Sequence, residues 1–254
     1  ITWSLVGSEM CIRDSPTFEG FDALIYDSEE ADGFEIGLKS NLFDNNMRIN
    51  ATYYKYEYTD LQVQLFDANI IQFSTFNAGA VETEGFEADM LWYTDIEGLT
   101  LRGQFAWTDA VNTGDFFNTS GVNLKGSERS YSPEIAGSLG LSYDSSLFSG
   151  WRYTFSTDAR YSDDYAWGVY RNSPRQDSYW INDAAISIYS EDGKHSINLI
   201  GRNLGDEIVI VTGGSTPGRI GTRTVPGIEA ALLQDQNVTT QQGRTVTLQY
   251  KYKM

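Results

Sequence analysis

Cysteine is almost missing from this sequence: Cys11 stands alone among 254 residues. One thiol closes no disulfide within the chain and builds no cysteine-based zinc site. Histidine is equally scarce. His195 is the single example, so a multi-histidine metal centre is excluded. Basic side chains are in deficit, 18 Lys and Arg against 35 Asp and Glu, which leaves a net charge of −17. A surface this acidic repels phosphate backbones and argues against a nucleic-acid partner. No apolar run approaches the roughly 20 residues that a membrane-spanning helix needs. That absence does not exclude a membrane, because a spanning strand needs only about 9–11 alternating residues. Also missing are a Gly-x-Ser-x-Gly elbow, a phosphate-binding loop and a His-Glu-x-x-His pair. No catalytic, cofactor-binding or metal-binding residue is therefore assigned, and the reading is not an enzyme.

What is present is aromatic and alternating. Tyr, Phe and Trp make up 14% of the chain, and such residues suit a pleated, half-buried surface. Phe34, Ile36 and Leu38 alternate with Glu35, Gly37 and Lys39. Met47, Ile49, Ala51 and Tyr53 alternate with Arg48, Asn50, Thr52 and Tyr54. Leu99, Leu101, Gly103, Phe105 and Trp107 alternate with polar or small residues, as do Trp151, Tyr153 and Phe155. Val246, Leu248, Tyr250, Tyr252 and Met254 form the last such set. Period two of this kind gives each strand one dry and one wet face.

The connections alternate as well. Segments rich in Asp, Asn, Gly and Ser at Asn41–Asn46, Asp95–Gly98, Asp144–Gly150 and Glu191–Lys194 predict short turns. Val111–Ser130, Ser162–Gln176 and Thr212–Gln242 predict long loops, and a tight reversal is expected near Asp67–Asn69. Nine strands follow, near 31–41, 46–66, 70–94, 98–112, 131–144, 150–165, 177–190, 194–212 and 243–254. Short turns at one end and long loops at the other are the layout of a bacterial outer-membrane barrel. Trp92, Tyr93, Trp107, Tyr143, Trp151, Tyr250 and Tyr252 fall at strand ends, where interfacial aromatic girdles sit. The expected class is all-β, a transmembrane antiparallel β-barrel in the outer membrane. An odd strand count where barrels have even numbers implies further strands upstream. So does the lack of a secretory signal in residues 1–30. Nine strands with two open edges should not fold alone as a barrel.

Several segments resemble the TonB-dependent receptor family. Gly33-Phe34-Glu35-Ile36-Gly37-Leu38-Lys39-Ser40 with Leu42-Phe43-Asp44-Asn45 is similar to a family strand and hairpin. Asn77-Ala78-Gly79 and Glu84-Gly85-Phe86-Glu87-Ala88 resemble the next pair. Asn198–Asp206 resembles a late strand ending in Asn-Leu-x-Asp, and Gly243–Leu248 resembles the closing strand. The resemblance implies the C-terminal part of a barrel of about 22 strands, residues 16–254 here, with an N-terminal plug missing. It implies uptake of a scarce ligand, an iron–siderophore above others, coupled to TonB through the absent N-terminal part. It also implies assembly by the barrel-insertion machinery through Leu248, Tyr250, Tyr252 and Met254, although Met254 stands where the family has Phe. Ser4–Ser15 resembles a translated sequencing adapter, so residues 1–15, with Cys11, are expected to be non-native.

Two sets of residues are candidates for contact with ligand or plug. Glu35, Lys39, Arg48, Glu87, Asp89, Arg102, Arg152, Asp158, Arg160, Arg202 and Lys251 fall on the wet parity and should face the lumen, as ligand contacts or as paired structural charges. Phe116, Phe117, Tyr131, Tyr165, Trp167 and Tyr170 fall in or beside the long loops, as ligand contacts or as loop packing. Asp163 and Asp164 are a weak calcium motif, and His195 reads as a turn residue. Two other readings stay open: a passive porin or other outer-membrane barrel, and a soluble carbohydrate-binding β-sandwich.

Overall fold

The computed structural model describes residues 27–67, 72–77, 79–117, 122–168, 174–215 and 236–253. In chain order the strands are β1 (Glu30–Leu42), β2 (Met47–Thr59), β3 (Gln62–Asp67), β4 (Gln72–Asn77), β5 (Ala80–Tyr93), β6 (Leu99–Asn112), β7 (Ile135–Phe148), β8 (Trp151–Ser162), β9 (Tyr165–Ala166), β10 (Arg175–Gln176), β11 (Tyr179–Ser190), β12 (His195–Arg202), β13 (Ile210–Ser215), β14 (Gln236–Thr240) and β15 (Thr245–Tyr252). Nine of them form one sheet in the order β1-β2-β5-β6-β7-β8-β11-β12-β15, with antiparallel neighbours throughout. The pairs β3–β4, β9–β10 and β13–β14 stand apart at the loop end.

The main sheet's nine strands correspond to the nine expected segments, but the described residues hold fifteen strands in all and several boundaries differ. The expected strands 46–66 and 70–94 are each broken. Asp60 (φ 53°) and Gly79 (φ 74°) adopt left-handed conformations that end the ladder, so β3–β4 is a separate hairpin above the sheet. Asn77 pins its base, donating to the Asp27 carbonyl at 2.9 Å and accepting from the Asp27 N–H at 2.8 Å. The reversal expected at Asp67–Asn69 lies largely outside the described residues. At the other end of the sheet, the expected strand 194–212 stops at Arg202. The Asn203 N–H donates to Asp183 at 2.7 Å, and the Asn203 amide bridges to the backbone of Glu207 at 2.8 and 2.9 Å. Left-handed Asn203 and Asp206 turn the chain out of the sheet. The expected turn Asp144–Gly150 shrinks because β7 continues to Phe148 across a bulge.

Register sorts the side chains into two faces, because directly paired residues share a side. Ile36, Tyr53, Phe86, Trp107 and Ile135 form one cross-strand row. Lys39, Asn50, Asp89, Gln104, Ser138 and Arg160 form a row on the opposite face. Among the described residues the apolar face has no second layer against it: Leu139 is 65% exposed and Leu248 73%. A β-sandwich would bury such residues between two sheets. Here the few fully buried apolar side chains lie mostly in the loops, as with Leu124, Trp167 and Val209.

Aromatic side chains border this dry face at both ends. Phe43 stacks on Trp92 (6.3 Å), Tyr143 meets Tyr153 edge-on (6.1 Å), and Trp151 lies by Phe148 (6.0 Å) at the turn end. At the loop end Tyr161 packs on Trp180 (5.1 Å), the Tyr53 hydroxyl donates to Glu84 (2.7 Å) and the Trp107 indole donates to Glu134 (3.2 Å). Along β8 the border residues Trp151 and Tyr161 are its first and eleventh residues. At about 3.3 Å per residue and a tilt of about 40°, that separation rises about 25 Å, the height of a barrel's lipid-facing band. Tyr93, expected in the girdle, instead lies on the polar parity of β5, opposite Thr100.

Candidate functional site

The polar face collects every charge that the alternation assigned to the lumen: Glu35, Lys39, Arg48, Glu87, Asp89, Arg102, Arg152, Asp158, Arg160, Arg202 and Lys251 share it by register. About half are spent within the wall. Asp89 accepts from the Asn50 amide at 3.0 and 3.1 Å, and Glu35 accepts from the Tyr56 hydroxyl at 2.6 Å. Arg160 pairs with Asp183 at 2.8 Å and Asp158 at 3.7 Å, and Arg102 reaches Asp158 at 3.7 Å. That last pair spans the whole of β7, and Gly140 makes the crossing possible. A Cβ there would sit 2.4 Å from the Arg102 Nε. Arg152 pairs with Asp144, whose other oxygen accepts from Thr154 at 2.7 Å and from Tyr189. Lys39, Arg48, Glu87, Arg202 and Lys251 have no ion-pair partner among the described residues. A cleft of about 610 Å³ opens on this face between Asn50, Glu87, Asp89, Gln104 and Ser138. Its chemistry is hydrogen bonding to a polar occupant.

Three long connections meet above the sheet. The Ser130 hydroxyl donates to the Gly168 carbonyl at 2.7 Å, and the Tyr131 N–H to Ala166 at 2.8 Å. The Gly213 N–H donates to the Tyr131 hydroxyl at 3.1 Å, and the Tyr165 hydroxyl donates to Ile210 at 2.9 Å. The Ile210 N–H returns to the Gln176 side chain at 2.9 Å. Arg175 clamps Asp164 at 2.6 Å and also pairs with Glu128. These carboxylates, Glu128 foremost, hold its guanidinium more firmly protonated than usual. Burial, then the neighbouring Tyr179, pushes the Tyr165 hydroxyl up to about 12. The loops after β6, β8 and β12 therefore form one packed cluster rather than three separate arms.

This packing divides the loop aromatics. Phe116, Tyr165 and Trp167 are 9%, 8% and 4% exposed and fill the cluster's interior. Trp167 lies so close to Gly213 that a Cβ there would come within 2.1 Å of its ring. Phe117 and Tyr131 are exposed. Tyr170 lies outside the described residues, as do Met254 and residues 1–15. Leu248, Tyr250 and Tyr252 lie on the apolar face of β15, and Tyr250 is 2.8 Å from the His195 ring. His195 thus joins the turn-end aromatic border, packed by Tyr252 and Trp151. Asp163 and Asp164 are engaged locally, by Tyr161 and by Arg175. Among the described residues no group of three or more His, Cys, Asp and Glu could hold a metal.

Sequence reasoning passed over Tyr54, Tyr56 and Tyr58, which the register sets in a file on the polar face of β2. Their spacing, with Gly33 and Gly85 directly opposite, was the available signal. It also passed over Arg175, whose role rests on contacts that sequence distance hides.

A family profile described as "TonB dependent receptor-like, beta-barrel" matches residues 15–204. Solved structures share the fold. The ferric yersiniabactin uptake receptor FyuA of Yersinia pestis superposes with a TM-score of 0.68 at 14% identity, over 89% of this chain and 30% of its own. The siderophore receptor PiuA of Acinetobacter baumannii gives 0.66 at 21%, over 92% and 30%. The ferric-catecholate import receptor Fiu of E. coli K12 gives 0.63 at 17%, over 95% and 30%. The chain thus spans 30% of the length of each. No curated protein matches by sequence.

Proposed function

The chain belongs to the TonB-dependent receptor β-barrel family, whose members are transport receptors of the bacterial outer membrane, and from that premise we propose that it supplies nine adjoining strands to a closed barrel of about 22. In this reading residues 16–254 are barrel wall and residues 1–15 are not native to it. The whole receptor takes up a scarce ligand, an iron–siderophore first among the candidates, by active transport. TonB supplies the energy through parts of the receptor that these strands do not include. The barrel-assembly machinery inserts it, reading the alternation that ends in Leu248, Tyr250, Tyr252 and Met254.

The observation that carries the reading is the one-sided sheet. An exposed apolar band about 25 Å tall between two aromatic borders fits lipid. The opposite face holds charges without an ion-pair partner among the described residues, together with a polar cleft, and it suits a filled lumen. In lipid the edges of β1 and β15, which pair with no further strand among the described residues, need further strands. The siderophore assignment draws on the superposed structures, a siderophore receptor, a ferric-catecholate import receptor and a ferric yersiniabactin uptake receptor.

Uptake of radioactive iron by cells that express the full-length receptor tests this. Accumulation from ferric siderophores should stop when TonB is deleted or the proton gradient is collapsed. Equal accumulation without TonB would replace active transport with the passive-porin reading. Sequencing the DNA upstream of the Pro16 codon tests the assignment of residues 1–15.

A further inference from the structure

Tyr54, Tyr56 and Tyr58 occupy successive positions on the polar face of β2. Their ring centroids are 6.0 and 6.2 Å apart, and each plane is tilted 37° to the next. Tyr56 is paired with Gly33, where a Cβ would lie 2.2 Å from its ring. Tyr54 is paired with Gly85, where a Cβ would lie 2.4 Å from its hydroxyl. Glycine at both places lets the rings fold down over the neighbouring strands. The hydroxyls are engaged there: Tyr56 donates to Glu35 at 2.6 Å, and Tyr54 lies 3.2 Å from the Thr108 hydroxyl. With the polar tips of Tyr54 and Tyr56 tied to the wall, those two rings have their faces left to offer. From Tyr54 to Tyr58 the file covers about 13 Å. It starts level with the loop-end border residue Tyr53 and continues into the mouth.

Covering a glycine with an aromatic ring can serve stability alone. Three features point beyond that. The file has three members and only two glycines. The half-exposed rings turn toward the lumen rather than toward lipid. The file also leads directly into the polar cleft, whose wall offers Thr52, Asn50, Glu87, Asp89 and Gln104. Carboxylates and amide oxygens accept hydroxyl protons, and the carboxylates repel anions, since Arg160, the cation that also lines the cleft, is already paired with Asp183 and Asp158.

We propose that Tyr54, Tyr56 and Tyr58 are a stacking track at the loop-end mouth of the barrel for a ligand whose rings present an apolar face and carry undissociated hydroxyl groups at their edges. Ring faces stack on the tyrosines, and the hydroxyls donate to the acceptors around the cleft. Both a saccharide and the catechol ring of an iron chelator before metal binding carry this chemistry. The inference rests on the transport reading above and names the ligand surface that the receptor's wall would meet.

The test is equilibrium binding to the purified full-length receptor in detergent, with a neutral glucose hexamer and with metal-free catechol as probes. Tyr54→Leu and Tyr56→Leu keep an apolar cover over the glycines but remove the π face. Tyr56→Phe keeps the face and removes the bond to Glu35. Each variant is first checked for the heat-modifiable gel mobility of a folded barrel. Each leucine variant should bind the responding probe about fivefold more weakly, while the phenylalanine variant binds as the unaltered receptor does. The probe that responds identifies the source of the rings. Failure of both probes to bind would overturn the proposal. So would equal affinity in the leucine variants, or equal loss in the leucine and phenylalanine variants. Binding at equilibrium needs no TonB, so loss of energised uptake with this pattern intact would strike the transport reading alone.

Discussion

The nine-stranded wall and the loop cluster above it are held together in opposite ways. In the wall, long antiparallel ladders satisfy the backbone, and large apolar side chains such as Leu139 and Leu248 stay uncovered by protein. In the cluster the ladders are short, two residues each in β9 and β10, while Trp167, Leu124 and Val209 are almost wholly enclosed. The wall leaves its dry face to lipid and spends its sequence on alternation. The cluster stands in water and must build its own core. One chain thus carries two solvents' rules, and the switch between them occurs where Asp60, Gly79 and Asn203 end the long strands.

Removing a core side chain from the cluster is the harshest way to break the comparison. Trp167→Ala deletes a ring that is 4% exposed. Buried Trp→Ala changes destabilise by about 3–5 kcal/mol. Because that core is separate from the wall, the loss should remain local. Hydrogen exchange on the full-length receptor should show faster exchange in β9, β10 and β13 with unchanged protection in β6, β7 and β8. Loss of protection in the wall as well would mean that the two regions fold as one unit.

The reciprocal change is Leu139→Arg, at a residue 65% exposed. On a water-soluble protein an exposed substitution of this sort stays within about 0.5 kcal/mol. Leu139 lies midway between the two aromatic borders, four positions from Tyr143 and four from Ile135, which is paired with the border residue Trp107. An arginine at the bilayer midplane costs about 2–4 kcal/mol. Urea unfolding of the full-length receptor in phospholipid vesicles should show that loss. Ser142→Arg, on the polar face of the same strand, should change stability by less than about 1 kcal/mol. Equal effects at the two positions would remove the basis for assigning one face to lipid.

The two regions also differ in how far sequence alone discloses them. In the wall each strand carries its own period-two record, and short turns such as Glu191–Lys194 carry theirs, so strand number and facing followed from local pattern. The boundaries followed less well. A left-handed Asp60 reads like any aspartate in a polar stretch, and only its backbone conformation, φ 53°, marks the end of the ladder there. In the cluster the decisive contacts join distant positions, as with the Tyr131 hydroxyl and Gly213, 82 residues apart. Period and composition say that Trp167 and Tyr165 lie in a loop but not that another loop covers them. The same blindness hid Arg175, which joins Glu128 to Asp164 across 47 and 11 residues. The tyrosine file was different. Its spacing was in plain view, and only the pairing with Gly33 and Gly85 gave it meaning.

The smallest effect belongs to the turn end, where neither solvent rule applies strongly. Asp192 caps the turn between β11 and β12, accepting from the Ser190 hydroxyl at 2.6 Å and from the Lys194 N–H at 3.0 Å. These bonds, the Ser190 hydroxyl's first, hold its carboxyl below the usual carboxylate range. A depressed folded-state value means that the carboxylate stabilises the turn at any pH above its unfolded-state value, about 3.9. That contribution disappears as pH falls below about 3.9 through the lower, folded-state value. Asp192→Asn removes the charge but keeps an acceptor oxygen, so the variant should lose a small amount of stability near neutrality and none at strongly acidic pH. Unfolding curves for the two proteins should therefore converge as pH drops below the unfolded carboxylate value. A gap that stays constant from neutral to strongly acidic pH would show that the turn is set by backbone geometry, with left-handed Gly193 (φ 70°) as its determinant. Convergence would instead show that even the plainest connection in the wall depends on a charge placed by sequence.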